Sequence, residues 1–171
     1  MANKHLTLKN VQIKDNNSRI FILFIQTADA VLKYMDACFH KKMRLSTIKF
    51  IVLQVLASNN GKMKPSEIAA WTFRERHDIT TLVDRMEKDG LVMAAKIHGD
   101  GRSVIVNLTP KGRETLEQAI LVARDIITGV MASIVDNEIT LLEKSLTVIR
   151  QNANNELEKI IQVPRNSSPI T

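Results

Sequence analysis

The chain has 171 residues, a formal net charge of +6 and one cysteine. This length suits one domain with helical extensions and a sizeable hydrophobic core. A single cysteine excludes an internal disulfide framework and a cysteine-rich zinc site, which predicts a reduced, cytoplasmic environment. The amino terminus is polar and the apolar run 20–25 is too short to cross a bilayer, so membrane insertion is not expected.

The positive charge is concentrated in the middle of the chain. Residues 41–113 hold 14 Lys and Arg against 7 Asp and Glu, whereas the remaining residues hold 10 against 11. All of the excess positive charge therefore lies in one segment, as expected of a surface that faces phosphates.

Two helices are predicted in the amino-terminal part, after a loose tail over residues 1–14. Over residues 19–40 the apolar side chains surround most of a helix, so this helix must be buried on two sides. Residues 46–58 form a second predicted helix, which the turn sequence 58–61 ends. The side chains of the second helix expected to face inward are Ile48, Ile51, Val52, Val55 and Leu56.

A helix-turn-helix is predicted over residues 62–90. Pro65 begins a short helix, and Lys64 occupies the position where a capping oxygen is expected. The apolar side chains directed to the core are Ile68, Ala69 and Trp71. Thr72 is a suitable cap for the following helix, which ends at Gly90. That helix has an apolar face of Ile79, Leu82, Val83 and Met86 and an opposite face of Arg74, His77, Asp78, Thr81 and Arg85.

A β-hairpin is predicted after this helix. Its strands are residues 91–97 and 103–108, and its tip is residues 98–102. Two glycines at the tip, Gly99 and Gly101, provide the positive φ angles that a tight turn needs. The second strand alternates as a strand with one buried face should, with Val104, Val106 and Leu108 on that face.

Two long helices are predicted at the carboxyl end. Thr109 caps the first, with Pro110 at its first position, and the second follows Asp136. Their apolar residues recur at helical spacing: Leu116, Ala119, Ile120, Ala123, Ile126, Ile127, Val130 and Ile134, then Ile139, Leu142, Leu146, Ile149, Ala153, Leu157 and Ile160. A small winged domain cannot cover this much apolar surface, so these helices and the first helix are predicted to pack in an obligate homodimer.

The order of elements predicts a winged helix-turn-helix that binds DNA. The fold class is mainly α with a small β-hairpin wing, in which the winged domain is flanked by amino- and carboxyl-terminal dimerisation helices. The predicted parts are a tail and dimerisation helix at 1–40, the DNA-binding domain at 41–109, dimerisation helices at 110–162 and a flexible tail at 163–171.

Two segments carry a resemblance to a known family. The first is residues 79–92, ITTLVDRMEKDGLV, and the second is the pair of segments 100–102, DGR, and 106–112, VNLTPKG. They resemble the recognition helix and the wing of MarR-type transcriptional regulators, and the resemblance covers about residues 15–160. It implies a two-fold dimer, usually a repressor, on a pseudo-palindromic operator with half-sites about 10 bp apart.

The resemblance also implies which residues contact DNA. Arg102 matches the wing-tip arginine that reaches a minor groove, and residues 73–88 supply the contacts in the major groove. On this helix the candidates are Arg74, Arg76, His77, Thr80, Thr81 and Arg85. Arg85 has an alternative role as an ion-pair partner of Glu87, Asp89 or another charge of the wing. Lys62, Lys64 and Ser66 are candidates for phosphate contacts that position the protein without reading sequence.

A small aromatic or otherwise apolar ligand that lowers DNA affinity is implied as well. In the family its cleft lies between the dimer helices and the winged domain. The matching walls here include Tyr34, Cys38, Ile48 and Phe50. Two roles are open for Cys38, a redox-sensing thiol or a side chain that only packs among aromatic neighbours, and packing is favoured.

Two features depart from the family pattern. Met93-Ala94-Ala95 stands where members commonly have an arginine, and Glu75, Asp78 and Asp84 bring negative charge to the recognition helix. They motivate an alternative function, a winged-helix protein-interaction module such as an antirepressor or partner protein with little DNA binding.

Catalysis and metal binding are not expected. The chain has no Gly-rich phosphate loop, nucleophile elbow or clustered carboxylate pair, and its length leaves no room for a catalytic domain beside a winged dimer. His5, His40, His77 and His98 show no metal-ligand spacing, and Asp100 is interpreted as a partner for an arginine. No cofactor is predicted.

Overall fold

The computed structural model describes residues 15–97 and 100–162, without the side chains of residues 97, 100–103 and 162. The elements in chain order are α1 (Asn16–Met43), α2 (Thr47–Ser58), β1 (Lys62–Met63), α3 (Pro65–Thr72), α4 (Arg76–Lys88), β2 (Val92–Ile97), β3 (Asp100–Leu108), α5 (Pro110–Val130) and α6 (Asp136–Gln162). Internal contacts divide the chain into two units, one up to Val130 and one from Met131. The predicted mainly helical fold with a small wing is confirmed.

Helix α1 is longer at both ends than the apolar pattern indicates. The Asp15 carboxylate accepts a hydrogen bond from the Ser18 N–H at 2.8 Å, which caps the amino end, and Arg44 stops the helix in the left-handed conformation with φ 53°. Asp36 of α1 also accepts a hydrogen bond from the Thr47 N–H at 2.7 Å. The first long helix therefore fixes where α2 begins.

The core of the first unit lies between helices α1 to α5 and one face of the sheet. Its largest fully buried side chains are Phe39, Val52, Leu53, Leu56, Ile68, Ile79, Met86, Val92 and Val106. The prediction that Trp71 faces this core is wrong, because Trp71 is 61% exposed. Helix α3 has one buried arc, through Ile68, Ala69 and the half-buried Thr72, and at about 100° per residue Trp71 falls outside it.

The turn between α3 and α4 differs from the prediction in one respect. Thr72 does not cap α4, because it is the last residue of α3 and its hydroxyl donates to the Ile68 carbonyl at 2.8 Å. Phe73 then takes the left-handed conformation with φ 52°, and Glu75 is the residue before α4. At the other end of α3, the Glu67 carboxylate accepts from the Lys64 N–H at 2.8 Å and supplies the capping contact that a lysine side chain cannot.

The sheet has three antiparallel strands in the order β1-β3-β2. Val92 pairs with Leu108 and Ala94 with Val106, as in the predicted wing, whereas the short strand β1 was not predicted. Strand β3 begins at Asp100, earlier than expected, and the register shifts between Lys96 and Ile97. Gly99 lies outside the described residues, and Gly101 is described only as part of the β3 backbone.

Thr109 caps α5 as predicted. Its hydroxyl oxygen accepts from the Gly112 N–H at 2.9 Å, and its proton lies toward the Gly90 carbonyl at 2.7 Å. One hydroxyl therefore joins the start of α5 to the end of the recognition helix, where Gly90 has φ 74°.

We expect Thr109→Ala to lower the free energy of unfolding by about 1–2 kcal/mol, because both the helix cap and the bond to Gly90 are lost. Urea denaturation of the variant and the parent protein measures this difference. Thr115→Ala is the matched control, because the Thr115 hydroxyl bonds only to its own helix at the Lys111 carbonyl. A Thr109 variant no less stable than the Thr115 variant would contradict the capping role.

The second unit contains α6. The Val135 N–H donates to the Glu138 carboxylate at 3.1 Å just where this helix begins. Its large exposed apolar side chains are Ile139, Leu141, Leu142, Leu146, Val148, Leu157, Ile160 and Ile161. Within the described parts of the chain, no helix is both long and apolar enough to span a membrane.

Candidate nucleic-acid interface

Helix α4 has one face in the core and one at the surface. Ile79, Val83 and Met86 are buried, and they recur every three or four residues. The opposite face begins with the exposed Arg76 and His77 and continues through the half-buried Thr81 to Arg85. These three buried side chains hold α4 against the core, whereas Leu82, predicted on the same apolar face, is half-buried and lines a surface groove.

A groove of about 330 Å³ runs along one side of α4. It is lined by Ile48 of α2 together with Arg74, His77, Asp78, Thr81, Leu82 and Arg85. All five residues predicted to share the polar face of the recognition helix line this groove, although Arg74 lies in the turn before α4 and not on the helix itself. Two arginines and a histidine here face a single acidic residue.

A second groove, of about 480 Å³, lies on the other side of α4, toward α3 and the wing. Its lining is Lys64, Pro65, Ser66, Arg76, Thr80, Val83, Asp84, Ala94 and Val104. The structure thus brings together four candidate DNA contacts that are up to sixteen positions apart, Lys64, Ser66, Arg76 and Thr80. The Thr80 hydroxyl donates to the Arg76 carbonyl at 3.0 Å, so its proton is already used within the helix. Lys62 is exposed on β1, outside this lining.

The carboxyl end of α4 is fixed by contacts that the sequence analysis missed. The Lys49 ammonium of α2 pairs with the Asp89 carboxylate at 2.5 Å, and the Lys111 ammonium of α5 donates to the Asp89 carbonyl at 2.7 Å. The Glu87 carboxylate accepts from the Ala94 N–H at 2.8 Å. Because Glu87 and Asp89 are engaged in this way, Arg85 is left directed at the groove beside α2.

The contact between Glu87 and Ala94 joins the recognition helix to the wing. It lies in the Met93-Ala94-Ala95 segment, where the usual arginine is replaced. A backbone N–H bonded to a carboxylate is a charge-assisted hydrogen bond, which is stronger than a neutral one. The wing strand β2 therefore has an anchor on α4 that does not need an arginine.

The tip arginine and its neighbour are described only in part. Arg102 and Asp100 belong to β3, and the description does not extend to their side chains. Their DNA contact and orienting roles stay predictions. The acidic residues Glu75, Asp78 and Asp84 are all exposed, Asp78 in the groove beside α2 and Asp84 in the groove beside the wing.

The candidate ligand residues lie in different surroundings within one chain. Tyr34 and Cys38 are one turn apart on α1, and a hydrogen bond with Cys38 raises the pKa of the Tyr34 hydroxyl. Phe50 is only 5% exposed, and its ring lies 4.8 Å from that of Phe39 between centroids. Ile48 lines the groove beside α4. Phe50 therefore belongs to the core in this conformation, and only the other three are open to solvent.

Lys42, also on α1, forms an ion pair with α5. It bonds to the Asp125 carboxylate of α5 at 2.9 Å, and this contact raises the pKa of Lys42. In the part of the chain that the structure describes, no group of three or more His, Cys, Asp or Glu side chains is arranged to hold a metal ion.

The helix-turn-helix, the paired strands behind it and the basic grooves on both sides of α4 define a winged helix DNA-binding protein. The family model for the winged helix DNA-binding domain matches residues 45–112. The repressor IacR of Pseudomonas putida is 30% identical over 112 residues, which is 66% of each chain. The uncharacterised regulator YfiV of Bacillus subtilis strain 168 is 30% identical over 109 residues, 63% of this chain and 67% of that one.

Solved structures agree with this assignment. A MarR-like regulator of Bacillus cereus is 28% identical with a TM-score of 0.71, over 80% of this chain and 97% of that one. The organohalide-sensing regulator RdhR-CbdbA1625 in its ligand-free form shares the fold at 24% identity, with a TM-score of 0.78 over 100% of this chain and 99% of that one. Sco3205 of Streptomyces coelicolor, solved in complex with DNA, shares it at 18% identity, with a TM-score of 0.74 over 79% and 86%.

The chain belongs to the MarR-type family of winged helix-turn-helix transcriptional regulators. Its relatives are transcriptional regulators and repressors rather than enzymes. The predicted family and fold class are thereby confirmed.

Proposed function

We propose that this regulator is a ligand-responsive repressor that binds a pseudo-palindromic operator as a homodimer. The observation that carries the proposal is the placement of α4, which buries Ile79, Val83 and Met86 in the core and leaves Arg76 and His77 exposed at its amino end. In a recognition helix this end comes closest to the base edges, where arginine pairs with guanine. The basic grooves on either side provide the neighbouring phosphate contacts.

The homodimer is supported by the apolar side chains left exposed by a single chain. On α1 they include Ile20, Phe21, Leu23, Ile25 and Leu32, and on α5 they include Leu121 and Ile127. Helices with this much exposed apolar surface need a partner, and a second copy presents the same faces. A two-fold dimer would place its two recognition helices in successive major grooves.

The effector proposed is a small aromatic or otherwise apolar molecule. Support comes from the shared fold: RdhR-CbdbA1625 has also been crystallised with 2,4-dichlorophenol bound. Tyr34 and Cys38, half-exposed on α1, are our candidates for contact with such a molecule. The ligand lowers the affinity for the operator if it binds more tightly to a conformation in which the two recognition helices are wrongly spaced for DNA.

Hydroxyl-radical footprinting on DNA from around the protein's own gene tests the proposal. We expect two protected half-sites about 10 bp apart, related by an approximate two-fold axis. Sedimentation of the free protein should give the mass of a dimer. A single protected half-site, or a monomer in solution, would contradict the proposal.

We expect Arg102→Ala to weaken operator binding about tenfold and to reduce the salt dependence of binding, because a positive side chain at the wing tip is removed. The affinity measured at several salt concentrations gives both quantities. Arg150→Ala, which removes the same charge from the exposed face of α6, is the matched control. Equal affinities and equal salt slopes for the two variants would remove Arg102 from the interface.

A further inference from the structure

Two aromatic side chains at the helix-turn-helix turn are exposed. Trp71, the only tryptophan of the chain, is 61% exposed near the end of α3, and Phe73 in the turn itself is 69% exposed. Aromatic side chains usually contribute by burying their large surfaces, so two exposed ones only two positions apart in the chain indicate a contact surface. We call Trp71 and Phe73 the turn pair.

Phe73 also has an unfavourable backbone conformation. It ends α3 with φ 52° and ψ 43°, the left-handed region in which glycine or asparagine is usual. A bulky side chain here costs conformational energy, and an exposed phenylalanine regains little of it by packing. Its presence is therefore better explained by an intermolecular contact than by the stability of the free protein.

The surroundings of the turn pair favour an anionic partner. Exposed basic residues stand on both sides of it in the chain, Lys62 and Lys64 before α3 and Arg74 and Arg76 after the turn. Of the nearby acids, Glu67 is engaged as the cap of α3, and Glu75 is exposed between the two arginines. An apolar surface within a mainly basic segment suits DNA, whose sugars and thymine methyl groups are apolar between its phosphates.

We propose that the turn pair is a DNA-contacting surface, which packs against the sugar-phosphate backbone beside the groove that α4 enters. The inference rests on the proposed function, because the turn comes just before Arg76, the first residue of the helix that is proposed to enter the DNA groove. The Trp71 indole N–H is a donor suited to a phosphate oxygen, and the Phe73 ring is suited to a deoxyribose face. Such contacts add affinity for any sequence.

The fluorescence of the single tryptophan gives a direct test with the wild-type protein. We expect titration with a duplex from around its own gene, and with an unrelated duplex at low salt, to quench Trp71 emission. Trp71→Ala should weaken binding to both duplexes about tenfold, the size of one lost contact. Trp71→Phe, which keeps an aromatic ring but removes the indole N–H, should lose less affinity than Trp71→Ala but should not retain the full affinity of the parent protein.

Phe73→Gly gives a signature that a merely structural role cannot. Glycine relieves the left-handed strain, so we expect the melting temperature to rise by about 2–4 °C while DNA affinity falls about tenfold. Phe73→Tyr, which keeps the ring, is expected to keep the affinity. A variant that is more stable and yet binds DNA less tightly has lost a contact and not its fold.

The outcomes separate this inference from the function on which it rests. Binding of neither duplex by the wild-type protein would overturn the proposed function itself. Tight binding by the wild type, with unchanged affinities for Trp71→Ala and Phe73→Gly and unchanged Trp71 emission, would overturn only the inference. The exposed aromatic pair would then be assigned to a protein partner.

Discussion

Gly112→Ala, which adds a single methyl group, is expected to lower the free energy of unfolding by about 3 kcal/mol. A β-carbon at this position would lie 2.0 Å from the Leu91 carbonyl oxygen and 2.8 Å from a methyl group of Leu108. The carbonyl cannot move aside freely, because it accepts a hydrogen bond from the Thr109 N–H at 3.2 Å. Helix α5 and the start of the wing approach each other this closely only because Gly112 has no side chain.

Gly129→Ala is the matched control for this substitution. Gly129 lies on the same helix, and no atom of the residues that the structure describes would lie within 4 Å of its β-carbon. Alanine is the better helix former, so this variant should gain about 0.5 kcal/mol. Urea denaturation followed by circular dichroism measures both changes. A Gly112 variant as stable as the Gly129 variant would show that the contact between α5 and Leu91 is looser than described.

The second large effect is expected at the amino end of the recognition helix. Arg76→Ala should weaken operator binding by about 10- to 100-fold, as the loss of a bidentate arginine contact to a base does, and should relax the preference at one position of each half-site. Its side chain is exposed and lines the groove between α4 and the wing, so the fold should tolerate the substitution.

Arg124→Ala controls for the loss of one positive charge, because Arg124 is exposed on α5 and is not a candidate contact. Affinities for the operator and for operators altered at single positions distinguish the two kinds of contact. Loss of affinity with an unchanged sequence preference would make Arg76 a phosphate contact. An affinity equal to that of Arg124→Ala would place Arg76 outside the interface.

Local signals made most of the fold predictable. Pro65, Thr109 and Gly90 mark helix ends in the sequence, and each helix boundary near them agrees with the structure. The recognition helix and the wing were also predictable, because their apolar residues repeat at spacings of three or four and of two. The motif that carries the family resemblance includes Gly112, whose close approach to Leu91 the structure now explains.

What the sequence could not show depends on contacts distant in the chain. Strand β1 has two residues and acquires its structure only by pairing with β3. The bonds of Asp36 to Thr47, and of Lys49 and Lys111 to Asp89, join residues 11 to 40 positions apart. Hydropathy alone directs Trp71 inward, whereas a helix of eight residues has only one buried arc. At the wing, residues 100–103 have little strand propensity, yet they extend β3.

The sequence predicted which face of the recognition helix each candidate residue occupies, but not which residues of other elements lie beside it. The sequence placed Arg74, His77 and Arg85 on one face of the recognition helix, and the structure shows them in one groove with Ile48, although Arg74 precedes α4. It did not predict that Arg76 shares a second groove with Lys64 and Ser66, because that depends on how α3 packs across α4. Nor did it predict that Glu87 would anchor β2 through the Ala94 N–H.

The most direct test of the central claim is the affinity of the purified protein for DNA from around its own gene. Fluorescence anisotropy at two salt concentrations, with an unrelated duplex as competitor, measures both affinity and specificity. We expect tight binding that weakens steeply with salt and resists the competitor, as for a regulator that neutralises several phosphates and reads base edges. Binding of the gene-adjacent duplex no tighter than of the unrelated one would contradict specific recognition there and favour the protein-interaction alternative.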